Sequence, residues 1–162
     1  MLAVPSNHAL SMEIRLDDLS GPEIRALLEA YLRNMHEISP PESVHALDLE
    51  KLRQPDISFW TVWEGRDLLG CGALRALSPA HGEIKSMRTA EAHRGRGVAR
   101  AVLNHIALEA KARAYERLSL ETGSTQAFEP AQRLYESFGF TRCAPFGDYA
   151  PDPNSVFMTK RL

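Results

Sequence analysis

The residues best placed to do chemistry in this chain form a short run, Arg94-Gly95-Arg96-Gly97-Val98-Ala99, followed by Arg100. Two glycines allow a tight backbone turn, so successive N–H groups can face one concavity. The run precedes an apolar-periodic segment that reads as a helix, whose first turn adds unpaired N–H groups and a partial positive charge. Such a junction suits a pyrophosphate, with Arg94, Arg96 and Arg100 supplying charge beside it. The Gly-Lys-Ser/Thr ending of a nucleoside-triphosphate loop is missing, and the spacing falls short of the GxGxxG dinucleotide pattern. On the motif alone, a solvated strand-to-helix turn remains the alternative reading.

The elements that must position this loop follow from periodicity. Met12 to Leu16 alternates apolar and polar residues and predicts a short strand. From about Gly21 to His36, Ile24, Leu27, Leu28, Tyr31, Leu32 and Met35 recur at three- and four-residue steps, one face of an amphipathic helix that Pro40-Pro41 stops. A weaker helix runs through Ala46, Leu47, Leu49 and Leu52. Aromatic and β-branched residues from Ser58 to Trp63, then Leu68 to Leu77 and Glu83 to Thr89, predict an antiparallel meander. Gly70 and Gly72 in the middle strand suggest close backbone approach.

The helix after the loop runs from about Gly97 to Ala114, with Val98, Val102, Leu103, Ile106 and Ala110 as its buried stripe. Arg117 to Thr122 is a strand. Pro130 suits the first turn of a last helix, which Gly139 ends. Phe140 to Cys143 and Ser155 to Lys160 are the closing strands. The expected fold is a single α/β (α+β) domain over residues 12–162, a mixed, mostly antiparallel twisted sheet flanked by helices. Residues 1–11 read as a flexible leader.

With 162 residues, 44% of them hydrophobic, the chain is long and apolar enough to bury one core, and no apolar run approaches a membrane span. Cys71 and Cys143 form no CxxC pair; with no export signal, a reducing cytoplasm is the expectation. A net charge of −2 opposes a nucleic-acid partner, because such proteins carry an excess of Lys and Arg. The six histidines lack metal-ligand spacing, so no metal is expected. Both cysteines lie in apolar strands and read as buried thiols. His36 and His45 bracket the Pro40-Pro41 bend and read as loop residues. Phe59, Trp60 and Trp63 read as sheet packing.

The loop resembles the (Gln/Arg)-x-x-Gly-x-(Gly/Ala) signature of the GNAT superfamily of acyl-CoA N-acyltransferases. A second stretch, Ala131-x-x-Leu134-Tyr135-x-x-x-Gly139-Phe140, is similar to that family's A-x-x-L-Y-x-x-x-G-F motif and follows at the usual separation. Phe128 stands where the family often has Asn, and Glu91 where it often has Pro. Gly82 to Thr89 is similar to a subgroup acting on small molecules or amino termini. The resemblance implies a GNAT-like fold and transfer of an acetyl group from acetyl-CoA to a primary amine of a small molecule or peptide. The amine would attack the thioester directly in a ternary complex, with no covalent enzyme intermediate. It also implies a V-shaped cleft between the strand of Met87 to Thr89 and that of Leu118 to Thr122. Arg94, Gly95, Arg96, Gly97, Val98, Ala99 and Arg100 would bind the cofactor's pyrophosphate, and a homodimer is compatible with the family.

The chemistry sets requirements. An alkyl ammonium has roughly one neutral molecule in a thousand near pH 7.4, a cost of ~4 kcal/mol before attack. A positioned base recovers part of it, typically ~10²–10⁴-fold in rate. Glu83 matches the position of a glutamate used as base in some family members; a solvated strand-start carboxylate, paired with Lys85, is the plainer reading, and a water relay is a third. Tyr135 lies on the apolar face of its helix with Ala131, Leu134 and Phe138. The family resemblance makes it the acid for the departing thiolate; packing is the alternative. Oxyanion stabilisation falls to backbone N–H groups around Met87, Arg88 and Thr89 if a bulge splays that strand. A non-catalytic acyl-CoA sensor built on the same loop is the rival function.

Overall fold

Strand β1 (Glu13–Leu16) pairs antiparallel with β2 (Ile57–Glu64), and β2, β3 (Asp67–Ser78) and β4 (His81–Thr89) form the expected antiparallel meander. In the computed structural model, which describes residues 12–38 and 49–162, these strands are one part of a seven-stranded sheet. β5 (Arg117–Gly123), β7 (Ser155–Arg161) and β6 (Thr141–Cys143) complete it in the order β1-β2-β3-β4-β5-β7-β6. Among the described residues only β4 and β5 pair in parallel, and the helix α3 (Val98–Ala112) makes the crossover that parallel neighbours require. The sheet is therefore mixed and mostly antiparallel, as its sequence implies.

Helices cover both faces. α3 buries Val98, Val102, Leu103, Ile106 and Ala110, the stripe expected from its period, against Trp60, Leu74, Ile84, Leu118 and Met158. α4 (Glu129–Ser137) adds Tyr135, with Ala131 and Leu134 packed beside it. Full burial of each Leu, Ile or Val side chain contributes about 1.5–3 kcal/mol, so this face dominates the stability. On the opposite face, α1 (Pro22–Ile38) and α2 (Leu49–Leu52) bury Ile24, Leu28 and Leu52 against Phe59, Cys71 and Ala73. Strand alternation accounts for the split, since Phe59 and Trp60 point to opposite faces.

Three details differ from expectation. Tyr31, Leu32 and Met35 continue the apolar stripe of α1 but line a cleft instead of entering the core. Short 3₁₀ turns at Glu91–His93 and Gln126–Phe128 carry no strong sequence signal. Cys71 is fully buried, whereas Cys143 on the short strand β6 is only half-buried, so the expectation of two buried thiols fails for the second. Pro40-Pro41, His45 and the start of the helix expected at Ala46 lie outside the described residues.

Gly72 shows why α3 can lie so close to the sheet. A Cβ there would meet Val102 Cγ1 at 2.5 Å and Met87 Sδ at 2.7 Å. The absent side chain lets the helix seat directly above β3, beside the strand β4 that carries the site.

Candidate active site

The site begins where the sheet comes apart. β4 and β5 are paired only from His81↔Arg117 to Ile84↔Leu120. Beyond that point β4 stays with β3, through Cys71↔Arg88 and Gly70↔Thr89, while β5 stays with β7 through Glu121↔Phe157 to Gly123↔Ser155. A bulge sits at the parting. Between Ala73↔Lys85 and Cys71↔Arg88, β3 advances two residues and β4 three, and Ser86 takes a left-handed φ of 56°. The V-shaped cleft is thus present, and the bulge lies at Ser86 and Met87, at the start of the stretch proposed to supply backbone donors. Among the described residues, the β5 side of β4 has no partner strand from Lys85 to Thr89.

The resulting cleft has a volume of about 950 Å³ and runs from α1 to the loop. Its walls include Tyr31 and Met35 of α1, Ser86 to Thr89 of β4, Glu121 to Gly123 of β5, and Leu134 and Tyr135 of α4. Arg94 and Ala99 line it at the loop end. Phe128, standing where the family often has Asn, packs over Gly123 and lines the cleft with an apolar ring.

The loop has the geometry an anion needs. Gly95 and Gly97 have φ of 78° and 79°, the left-handed region that side chains resist. Gly97 caps α3 with no side-chain hydrogen bond to the first turn, and the first intrahelical bond is Ala101 N–H to Gly97 O. Helix-start N–H groups from Val98 onward therefore remain for a ligand. The arginines divide in role. Arg94 lines the cleft. Arg96 donates to Glu64 Oε2 at 2.6 Å and contacts His93 Nδ1 at 3.0 Å, which ties the loop to the end of β2. Arg100 lies over the Phe138 ring, 5.3 Å from its centroid.

Glu83 is 1% exposed, not the solvated carboxylate of the plainer reading. Tyr149, in the segment before β7, donates to its Oε2 at 2.6 Å. Lys85 Nζ stands 3.5 Å from the same oxygen, so the expected Lys85 pairing forms, and Arg75 Nη1 lies 3.9 Å from Oε1. Oε1 itself makes no hydrogen bond. Lys85 lines the cleft and Glu83 does not; the carboxylate sits just behind it. Burial and the adjacent carboxylate raise the Tyr149 pKa strongly, so its hydroxyl is a donor throughout the physiological range. Sequence reasoning missed Tyr149, because nothing in local spacing links it to Glu83, 66 residues away.

Tyr135 sits both in the core and at the cleft wall. Its ring packs in the core at 7% exposure, edge-on to Phe140 at 6.0 Å, and it also lines the cleft. Burial pushes its pKa up to about 12, with Arg88 pulling the other way, so the hydroxyl keeps its proton. Arg88, expected to act through its backbone, also projects its guanidinium into this region, where it stacks over the Tyr31 ring. Cys71 Sγ donates to Ser86 O at 3.2 Å, and burial raises its pKa strongly, which leaves it a neutral packing thiol. Among the described residues no cluster of His, Cys, Asp and Glu is arranged to hold a metal ion. No helix among them is long and apolar enough to cross a membrane.

Comparison with known proteins agrees with this geometry. The acetyltransferase (GNAT) family matches residues 22–140. The uncharacterized N-acetyltransferase YsnE of Bacillus subtilis (strain 168) is 61% identical over 151 residues, covering 93% of this chain and 100% of that protein. The uncharacterized N-acetyltransferase YedL of Escherichia coli (strain K12) is 49% identical over 149 residues, covering 92% and 94%. A GNAT family acetyltransferase from Elizabethkingia anophelis, solved with acetyl-CoA bound, superposes with a TM-score of 0.68 at 18% identity over 94% of this chain and 99% of that one. The parted strands, the glycine-opened helix start and this family match lead to one conclusion: the chain belongs to the GNAT family of acetyltransferases.

Proposed function

We propose that the protein transfers the acetyl group of acetyl-CoA to a primary amine of a small molecule or peptide by direct attack within a ternary complex. The single observation that carries this reading is the cleft between β4 and β5, continuous from Arg94 and Ala99 at the start of α3 to Lys85 of β4 and the α1 residues Tyr31 and Met35. The acetyl-CoA held by the Elizabethkingia anophelis protein supports the choice of acyl donor.

The thioester supplies an activated acetyl group, and the residues of this chain supply position, charge and proton traffic. N–H groups of Gly97 to Arg100 hold the pyrophosphate, with Arg94 and Arg100 adding charge. The unpaired edge of β4 at Met87, Arg88 and Thr89 aligns the donor arm and faces the carbonyl oxygen as charge develops on it. Alignment of two reactants in one cleft removes ~7–11 kcal/mol of barrier, more than proton transfer supplies. The amine loses its proton toward Glu83, whose Oε1 carries no hydrogen bond; because Glu83 stands behind the cleft wall, a water relays it. A C–N bond forms, the C–S bond breaks, and the thiolate takes a proton from the Tyr135 hydroxyl. The homology to acetyltransferases and the cleft-facing tyrosine disfavour the non-catalytic sensor.

Two measurements test this. Calorimetry with acetyl-CoA reports donor binding, and a thiol-release screen against amino acids, polyamines, aminoglycosides and peptide amino termini reports transfer. Binding followed by amine-dependent thiol release is the expected result. Tight binding with no release on any amine would favour the sensor, and no binding at millimolar acetyl-CoA would remove the reading altogether.

A further inference from the structure

We propose that the acceptor amine carries a carboxylate and that this carboxylate seats on the Nε–Nη2 edge of Arg88. The proposal rests on the acetyl-transfer reading above and names the substrate class of the same cleft.

Arg88 is a cation whose protein partners do not neutralise it. Its side chain lines the cleft. Nη1 donates to the carbonyl of Met87, and one face of the guanidinium stacks over Tyr31. Nε is buried and makes no hydrogen bond. Among the described residues, no carboxylate comes within ion-pair distance of it. Other part-buried arginines of this chain are matched: Arg96 with Glu64 at 2.6 Å, Arg75 with Asp56 at 3.1 Å and Arg113 with Glu109 at 3.0 Å. Glu121, on the facing wall, acts on Arg88 only from beyond contact, and its Oε1 accepts from Ser155 Oγ at 3.2 Å.

A desolvated, unpaired guanidinium is costly, and a protein retains one where a ligand supplies the counter-charge. Burial pulls the Arg88 pKa down to about 9, against the opposing pull of Tyr135 and Glu121, so it stays charged near neutral pH while poorly compensated. With Nη1 already bound to Met87, Nε–H and Nη2 form the planar two-donor fork that fits a carboxylate side-on. Ser86 Oγ, on the same cleft wall, is likewise buried without a hydrogen-bond partner and offers a further donor.

The acyl donor does not account for this cation. Its anionic groups are phosphates, which the α3 start serves, and its reacting end is a neutral thioester. Tyr31 ties Arg88 to α1, on the sheet face opposite α3, and the apolar Leu32 and Met35 lie along that same wall. The counter-anion therefore comes with the acceptor.

The test uses the full chain saturated with coenzyme A. Benzoate, phenylacetate and 3-phenylpropionate are each titrated by calorimetry beside their uncharged carboxamides, into wild type, Arg88→Met and Arg88→Lys. At least one carboxylate is expected to bind wild type at least tenfold more tightly than its amide. Arg88→Met should erase that preference, and Arg88→Lys, which keeps charge but loses the fork, should retain only part of it. Equal binding of every acid and amide by wild type would overturn the proposal, as would an undiminished preference in Arg88→Met. Coenzyme A titrations of all three proteins report folding and donor binding separately. Heat from coenzyme A without carboxylate preference removes this proposal alone; absence of that heat in wild type removes the transferase reading beneath it.

Discussion

The Tyr149 hydroxyl donates a 2.6 Å hydrogen bond to Glu83 Oε2 and joins the segment before β7 to the paired part of β4. The contact fixes a buried carboxylate one residue from the point at which β4 and β5 part, and it leaves Oε1 as the oxygen able to accept a proton. Hydrogen bonds to charged groups contribute about 1.5–3 kcal/mol, so the loss of this one is felt both in stability and in the position of Glu83. Tyr149→Phe is expected to lower kcat about tenfold while the KM for acetyl-CoA stays within twofold. Steady-state kinetics at saturating amine checks the split; an unchanged kcat would separate Tyr149 from catalysis.

Tyr135 is held neutral by burial, with a pKa near 12. Tyr135→Phe keeps the ring against Phe140 and removes only the proton donor. Turnover should fall about 10²-fold, the scale of general-acid help, with coenzyme A affinity little changed. Because the hydroxyl keeps its proton, wild-type kcat should show no alkaline fall from this group below about pH 10. Full turnover in the phenylalanine variant would reduce Tyr135 to packing.

Gly97 joins a φ of 79° to open space where a side chain would project. Gly97→Val forces a β-branched residue into a left-handed conformation at roughly 1–2 kcal/mol, which disfavours the loop conformation that holds the α3-start N–H groups open. Acetyl-CoA affinity should drop at least tenfold by calorimetry, with helix content by circular dichroism near wild type. Retained affinity would place the pyrophosphate elsewhere.

His81 Nε2 stands 2.6 Å from Ser119 Oγ, and burial, then Arg117, lowers its pKa, with Glu83 opposing. The unfolded chain thus binds this proton more tightly than the folded one. The stabilisation is complete above the unfolded pKa of about 6.5 and is lost as pH falls through the lower folded value. Urea midpoints measured at pH 7.5 and pH 5 should therefore fall more for wild type than for His81→Gln. Equal losses would show that His81 does not contribute to acid sensitivity.

Contiguous residues encode the local features of this fold. The α3 stripe, the left-handed glycines of the loop, the Pro130 start and Gly139 end of α4, and the strand periods all follow from local sterics and alternation. They reappear at nearly the expected bounds. The remaining features depend on which strands stay paired over long sequence separations. The bulge at Ser86 sits where β4 parts from β5; that parting opens the cleft, makes Tyr31 a wall residue instead of a core one, and leaves Arg88 with no carboxylate partner among the described residues. Glu83 was legible as a carboxylate near the site; its burial behind Lys85 and its bond to Tyr149 were not. Those contacts join residues far apart in the chain, and no local period or propensity carries information about them.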